Sequence, residues 1–452
     1  MRANASWHSA AALNWLQEIL RERFGHSFTL GIESGSVLRI GLEGTEKRVE
    51  LAINPAFTRS DSDLPCTHWD AIAEGWQPAL SGRMPAPGAI FLPRPLVEST
   101  PRGYRVHYDI LGLAYWMLSR QEEVGRTDLD EHGRFPARAS HGLKHGYLER
   151  PIVDEWFHVL GQLIAKTWPI LVLKRHTFAV KLSHDVDSPS RYAFRSWKGI
   201  VRAAGGDLFR RRRPQDALLA PWIRARSGTN LHPRDPYNTF DWLMDVSERK
   251  GLVSAFYFIC GRSSNFDTDY EPEHPAIRSL MRRIHSRGHE VGLHPSYGSY
   301  KRPEIIAAEA QRLRHVAQQE GITQSQWGGR MHYLRWQQSS TLRAWADAGM
   351  DYDSTLGYAD RPGFRCGSCF EYPAFDPLRG EKLRLRLRPL VVMECTVMAQ
   401  NYLALGTGEA AYSKFTQLKN ACQAVGGNFT LLWHNSQLEL ASERELYKSV
   451  CH

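Results

Sequence analysis

From residue 237 onward, short strand-like runs alternate with amphipathic helical stretches, and this alternation restricts the chain to βα units around a parallel sheet. Apolar residues at helical spacing predict helices over 239–250, 276–287, 303–319 and 339–348, with another near 409–424. Between them, 253–259, 289–294, 328–333, 350–353, 390–394 and 429–433 have the length and β-branched or aromatic content of buried strands. The β-leaning run from Phe178 to Leu182 precedes the series. With this many units a closed structure is expected over an open sheet: an α/β fold, a distorted (β/α) barrel of about seven strands.

In such a barrel, chemistry collects where strands end at their C-terminal side. Polar residues stand at that place four times: Asp185 and Asp187 after 178–182, His294 after Val291-Gly-Leu293, Arg330 to Tyr333 after Gly329, and His434-Asn435 after Leu431-Leu-Trp433. Asp185 and Asp187 are two residues apart, so in an extended run their side chains leave on one face. Two adjacent carboxylates require a cation, such as a divalent metal, or a shared proton. The competing reading makes Asp187-Ser-Pro a helix cap and Asp185 a turn residue; the three later strand ends favour one shared site.

Upstream, 10–24 and 151–168 read as amphipathic helices and 109–123 as a strongly apolar one. Strand-like pieces lie near 28–32, 37–42 and 48–53, and a Pro-rich loop covers 78–95. The boundary falls near 172–177. Residues 1–175 are therefore expected to form a smaller mixed α/β N-terminal domain that packs against or roofs the barrel mouth, and 176–452 the barrel. Residues from about 190 to 236 interrupt the barrel as a basic, poorly periodic insertion containing Arg210-Arg-Arg-Arg213, expected to be solvated or to meet a charged glycan or phosphate.

A formal charge of +9 favours anionic partners without selecting one. Seven cysteines, an odd number at irregular spacing, argue against a secreted disulfide framework. The first residues show no basic segment followed by an apolar one, and no run of about 18 apolar residues occurs, so a cytoplasmic protein without a membrane span is expected. His132, His141 and His145 match no compact ligand pattern and read as loop residues. His289-Glu290 precedes His294 one residue too late for His-Glu-x-x-His, and Cys366-Gly-Ser-Cys369 has no second half-site, so it reads as a loop with free thiols.

Asp-Val-Asp187, Gly-His-Glu-Val-Gly-Leu-His294, Arg330-Met-His-Tyr333 and Leu-Leu-Trp-His434 resemble, in order and spacing, the motifs of the polysaccharide deacetylase superfamily, carbohydrate esterase family 4. More narrowly, the chain is similar to two-domain cytoplasmic members whose uncharacterised N-terminal domain carries a Leu-Ser-Arg-x-Glu-Glu segment like Leu118–Glu123. The resemblance implies that Asp185 is the general base, Arg330 its orienting partner and His434 the general acid, with a backbone N–H near Tyr333 on the oxyanion. It implies Asp187 and His294 as ligands of a divalent metal, zinc by preference. The family's second ligand histidine corresponds to Gly298 here; His332, where the family has proline, could take its place, as could His184 or Ser299. Tyr333, Ser296, Tyr297, Trp433 and Asn435 are the expected substrate contacts. Asp353-Ser-Thr-Leu-Gly-Tyr-Ala-Asp360 resembles the fourth motif, in which an acidic residue supports the arginine.

The implied function is hydrolysis of an acyl group, N-acetyl above all, from an amino sugar or glycan precursor, anionic glycans included and nucleic acid excluded. The alternatives are a catalytically silent glycan-binding or scaffold protein that keeps the barrel, and a metal-independent amidohydrolase acting on a small substrate. The sugar, the acyl group and the oligomeric state are not written in the sequence.

Overall fold

The computed structural model describes residues 7–33 and 36–451. The first six residues, on which the reading of the N-terminal stretch partly rests, lie outside the described residues. Three sheets are present among the described residues. The first has the order β1-β2-β3-β7-β6, from β1 (Thr29–Glu33), β2 (Val37–Gly41), β3 (Arg48–Ala52), β6 (Val97–Thr100) and β7 (Gly103–Val106); β4 (Cys66–Trp69) and β5 (Met84–Pro87) form a separate antiparallel pair. The third has nine strands: β8 (Ala179–Val186), β9 (Ser254–Ile259), β10 (Glu290–His294), β11 (Gly328–Gly329), β12 (Tyr352–Asp353), β13 (Tyr372–Asp376), β14 (Glu381–Leu387), β15 (Val392–Met393) and β16 (Asn428–Leu432). Its order is β13-β14-β12-β11-β10-β9-β8-β16-β15, with every neighbouring pair parallel except β13/β14.

The strands expected from Phe178 onward all occur within this sheet, but the expected closed barrel does not: among the described residues no ladder joins β15 to the β13/β14 end. The chain passes from β14 to β15 through Arg388-Pro389, where proline offers no donor. Irregular backbone from 354–364 fills the interval with single bonds, Leu390 N–H to Leu356 O (3.0 Å) and Gly363 N–H to Val391 O (2.9 Å). The fold is a mixed α/β structure with an open, mostly parallel sheet. The β13/β14 hairpin was not anticipated from the sequence, because its charged strand Glu381–Leu387 alternates Lys and Arg with Leu on a half-exposed face.

Two glycines place the site strands. A Cβ on Gly329 would lie 1.8 Å from the Leu293 carbonyl oxygen, and one on Gly328 would strike the Tyr352 ring at 2.1 Å. Only glycine lets β11 run so close to β10 and β12. Arg330 and His294 thereby emerge side by side, with Arg330 N–H donating to Leu293 O at 3.0 Å.

The N-terminal elements pack on the nine-stranded sheet through α1 (Ala10–Phe24), which lies on β13 and β14. Helix α2 (Ile110–Leu118) packs on α1 and on α4 (Ile152–Thr167), α4 also covers β3 and β7, and the short α3 (His141–Lys144) lies between α2 and α4 in the chain. Ser9 caps α1, and its buried stripe Trp15, Leu16, Ile19, Leu20 and Phe24 repeats at three- and four-residue spacing. Trp15 stacks on Phe375 at 4.9 Å and donates its indole N–H to Pro373 O at 2.8 Å. Asp154 of α4 accepts from Cys369 N–H (2.9 Å) and Ser368 Oγ (2.9 Å), so Cys366-Gly-Ser-Cys369 is a buried turn docked on that helix, and both thiols are free. The segment 196–226, read from sequence as irregular, is instead a helical hairpin, α5 (Trp197–Phe209) and α6 (Pro214–Arg226). Further helices are α7 (Phe240–Arg249), α8 (Pro275–Ser286), α9 (Pro303–Gln319), α10 (Ser340–Asp347), α11 (Glu394–Met398), α12 (Glu409–Ala424) and α13 (Ala441–Val450). None of the described helices is long and apolar enough to cross a membrane.

Candidate functional site

The C-terminal ends of β8, β10, β11, β15 and β16 converge on a cleft of about 240 Å³ lined by Asp185, Asp187, His294, His332, Tyr333 and His434, together with Arg134, Leu334, Met393, Cys395, Tyr402 and Leu432. Alternation along β8 sends Lys181, Ser183, Asp185 and Asp187 one way and His184 the other. His184 is fully buried, with Nδ1 2.6 Å from Trp433 O and Nε2 3.3 Å from Ser254 Oγ, which removes it as a ligand.

Asp185 is held by a buried arginine. Arg330 Nη1 donates to Asp185 Oδ1 at 2.8 Å, Nη2 to Ser183 Oγ (2.9 Å) and Ser354 Oγ (3.1 Å), and Nε to Ser354 O (3.0 Å). The fourth-motif acids do not touch this arginine: Asp353 accepts from Thr355 and Asp360 from Ala137 N–H. The support comes from the serine between them and the carbonyl that follows Asp353.

Asp187 stands among three imidazoles. His294 Nε2 lies 3.2 Å and His332 Nε2 3.7 Å from Oδ1, and His434 Nε2 lies 3.5 Å from Oδ2. The other nitrogen of each ring is committed to an acceptor. His294 Nδ1 is 2.6 Å from Arg330 O, His332 Nδ1 3.0 Å from Asp267 Oδ1, and His434 Nδ1 2.6 Å from Glu394 Oε1. A carbonyl or carboxylate can only accept, so Nδ1 carries the proton and Nε2 of each ring faces Asp187. Burial alone would raise the Asp187 pKa; His332, His294 and His434 hold it far below the usual carboxylate range. Burial likewise opposes ionisation of His434, but the Glu394 carboxylate, with Asp187 and Asp185, pushes its pKa up to about 10. Asp267, also subject to desolvation, is brought down to about 2 by His332 and by the backbone N–H groups of Tyr297 and Ser263.

The ligand atoms of Asp187, His294 and His332 lie within 4.8 Å of one another. Oδ1 of Asp187 is buried and accepts no well-formed hydrogen bond. An unsatisfied buried carboxylate oxygen facing two Nε2 atoms is the donor set of a divalent cation, two histidines and one carboxylate, so these residues fit a metal. Gly298 is turned elsewhere: its N–H donates to Ser263 Oγ at 2.6 Å, and a Cβ there would meet that oxygen at 3.0 Å. His332 fills the role from the next strand end. Ser299 donates to Ser296 O and is not part of the cluster.

Of the expected substrate contacts only Tyr333 lines the cleft. Its backbone, with φ of 61°, and that of Leu334, at 55°, lie in the left-handed region, and Arg134 Nη1 donates to Tyr333 O at 2.9 Å. Tyr297 packs on the rim against His132, Ser296 serves Glu309, Trp433 is buried with its indole N–H on Gln437 O, and Asn435 bridges Ser188 O and Tyr237 O. Ser296, Trp433 and Asn435 are side chains that brace the loops behind the cleft. Sequence reasoning missed Asp267, Glu394 and Arg134. Glu394 follows the run 390–393 and so obeyed the same strand-end rule; Asp267 and Arg134 lie in loops with no local signal.

A family model, "Family of unknown function (DUF7033)", matches residues 11–169. No curated protein matches the chain. Among solved structures, the chain is similar to a proposed polysaccharide deacetylase from Mycobacterium smegmatis (16% identity, 61% of this chain and 83% of that one, TM-score 0.38). It is also similar to Agd3, described as a novel carbohydrate deacetylase (10% identity, 64% and 49%, TM-score 0.27). Both are distant likenesses, with TM-scores below 0.5.

The Asp267–His332 pair makes a direct prediction. Carboxylates behind metal-bound histidines hold ring orientation and basicity. Asp267→Ala is expected to weaken zinc binding by about 10–100-fold in a competition titration while the far-ultraviolet spectrum is kept; unchanged affinity would remove His332 from the ligand set.

Proposed function

We propose that this chain is a hydrolase that removes an acyl group, in the first instance N-acetyl, from an amino sugar or glycan precursor with the help of a divalent metal. One observation carries the reading: a carboxylate braced by Arg330 and an imidazole braced by Glu394 flank the Asp187–His294–His332 cluster inside a single cleft. Asp187, His294 and His332 would hold the ion, which supplies Lewis-acid polarisation of the acyl carbonyl and lowers the pKa of water.

The chain's own groups supply the proton transfers. Asp185 has Oδ1 engaged by Arg330, leaving Oδ2 to accept the proton of the attacking water as its oxygen bonds to the acyl carbon. His434, kept protonated by Glu394, delivers its Nε2 proton to the amide nitrogen as the carbon–nitrogen bond breaks, giving free amine and carboxylic acid. Tyr333 and Arg134 border the opening where the sugar would sit. In this reading residues 1–175 form the accessory domain and contribute Arg134 to the cleft of the unit 176–452. The seven free cysteines support a reducing, cytoplasmic setting.

Elemental analysis tests the reading. Purified protein is expected to carry one divalent ion per chain, zinc first, and Asp187→Ala, His294→Ala and His332→Ala each to lose it. Metal-free protein that still releases acetate from an N-acetylglucosamine oligomer would overturn the metal-assisted mechanism. Metal-replete protein that binds the oligomer without turnover would leave only the glycan-binding alternative.

A further inference from the structure

The insertion that leaves the site strand presents an unusual surface. Its two helices close on a small core of their own, Tyr192, Ile200, Ala220 and Ile223, flanked by Ala203, Ala204 and Leu219. What remains outside is apolar as well. Trp197 (60% exposed), Val201 (72%) and Leu208 (46%) fall within about 40° of one another around α5 at 100° per residue. Phe209 at its end is 80% exposed. On α6, Leu218 (82%) and Trp222 (44%) are four residues apart and share a face. Scattered apolar residues need no explanation, but six on one short hairpin form a feature.

The charge on the same hairpin is strongly positive. Residues 195–226 carry nine Lys or Arg against two Asp, a net +7 in a chain of +9. Some of these cations serve the fold: Arg211 pairs with Asp207, and Arg213 with Glu439 and Asp216. Lys198, Arg202, Arg210 and Arg212 form no ion pair among the described residues, and all four are exposed. Lys198 and Arg202 flank the Trp197–Val201–Leu208 stripe on α5.

We propose that the α5–α6 hairpin docks this protein on an anionic membrane surface, with Trp197, Val201, Leu208 and Phe209 of α5 entering the interface and the unpaired cations meeting lipid phosphates. The combination of exposed aromatics with a basic flank is what an interfacial helix requires. An acidic polymer would need only the charge, and it leaves the apolar stripe unexplained. The hairpin also starts at the site. Phe194 and Arg195, just before α5, line with Ser188, Pro189 and Ser190 a second hollow of about 320 Å³ that shares Asp187, His332 and Tyr333 with the cleft. Docking there brings the cleft to the bilayer and suits a substrate carried on a lipid, or one assembled at the membrane. The docking itself stands independently of the hydrolase reading.

The test is sedimentation of the full chain with phosphatidylcholine vesicles and with vesicles containing roughly one third phosphatidylglycerol. Binding is expected only to the anionic vesicles and is expected to weaken as salt rises. The triple change Arg202→Glu, Arg210→Glu and Arg212→Glu should reduce the partition coefficient on the order of a hundredfold. Trp197→Ser with Phe209→Ser, at exposed positions, should lower it at least about tenfold with an unchanged melting temperature. Asp185→Asn should bind as the parent does, so loss of activity and loss of docking read out separately. Equal binding to neutral vesicles, no binding to anionic ones, or retention on heparin without vesicle binding would each overturn the proposal.

Discussion

Replacing Asp185 with asparagine is expected to lower acetate release from an N-acetylglucosamine oligomer by on the order of 10³-fold or more, while the protein melts close to the parent temperature. The two parts of this expectation come from one geometry. Asparagine can keep an oxygen at the Oδ1 position, so Arg330 Nη1 retains an acceptor, and its other N–H groups remain on Ser183 Oγ, Ser354 Oγ and Ser354 O. The guanidinium stays partnered, although it loses its counter-charge, and the strand end keeps its shape. An amide, however, cannot take the proton of an attacking water. Turnover measured with saturating zinc separates this loss from any weakening of metal binding. Unchanged turnover in the folded variant would refute Asp185 as the base.

The second large effect concerns the join between the N-terminal elements and the nine-stranded sheet. Glu123 accepts from Arg365 Nε (2.9 Å) and Nη2 (2.6 Å), and Oε1 also accepts from Arg120 Nε (2.9 Å) and Nη2 (2.7 Å). All three side chains are buried. Glu123→Ala would leave two guanidiniums without a carboxylate between them, and is expected to cost about 3–5 kcal/mol of stability in denaturant unfolding. A loss under about 1 kcal/mol would show that water or Glu122 takes its place. The same group predicts an acid limit. Burial opposes its ionisation, but Arg365 and Arg120 hold the Glu123 pKa below its ordinary value. Its contribution is therefore fully present above the unfolded carboxylate pKa and is lost as pH falls through the lower folded value. The acid-side drop in melting temperature should be shallower in Glu123→Ala than in the parent. Leu118–Glu123 is thus a clasp: Leu118 O accepts from Tyr372 Oη at 2.9 Å and Ser119 O from Gln338, beside the Glu123 pair.

Four residues of the candidate site were legible in the sequence because they close apolar, strand-like runs. Asp185, Asp187, His294 and His434 stand where local hydrophobicity stops, a property of neighbouring residues alone, whereas Arg330 follows Trp327-Gly-Gly and was marked by the motif resemblance. Of their partners only Glu394, which closes the run 390–393, carried a local signal, and no pairing was legible. Asp267 lies 65 residues before His332, Glu394 40 before His434, and Arg134 199 before the Tyr333 carbonyl it bonds. Most of the expected substrate contacts lie outside the cleft lining for a related reason. Ser296, Trp433 and Asn435 are adjacent in sequence to site residues, but the turn after β10 and the pleat of β16 aim them into the supporting structure. The hairpin 196–226 was hidden by its basic, poorly periodic sequence; Pro214 stands in the first turn of α6, where proline is tolerated, and packing of Ile200 against Ala220 and Ile223 holds the pair despite Pro221 inside the helix.

By itself, then, the sequence determined the class of fold, the direction of its parallel strands and the ends at which acid, base and ligand candidates gather, since strand period and burial are short-range signals. Tertiary structure decided the rest. It left the sheet open between β14 and β15, turned Gly298 away and placed His332 beside Asp187, and gave each catalytic candidate a buried partner from a distant loop. Those outcomes depend on which segments the folded chain brings together, and hydrogen-bond satisfaction inside a core is settled only there.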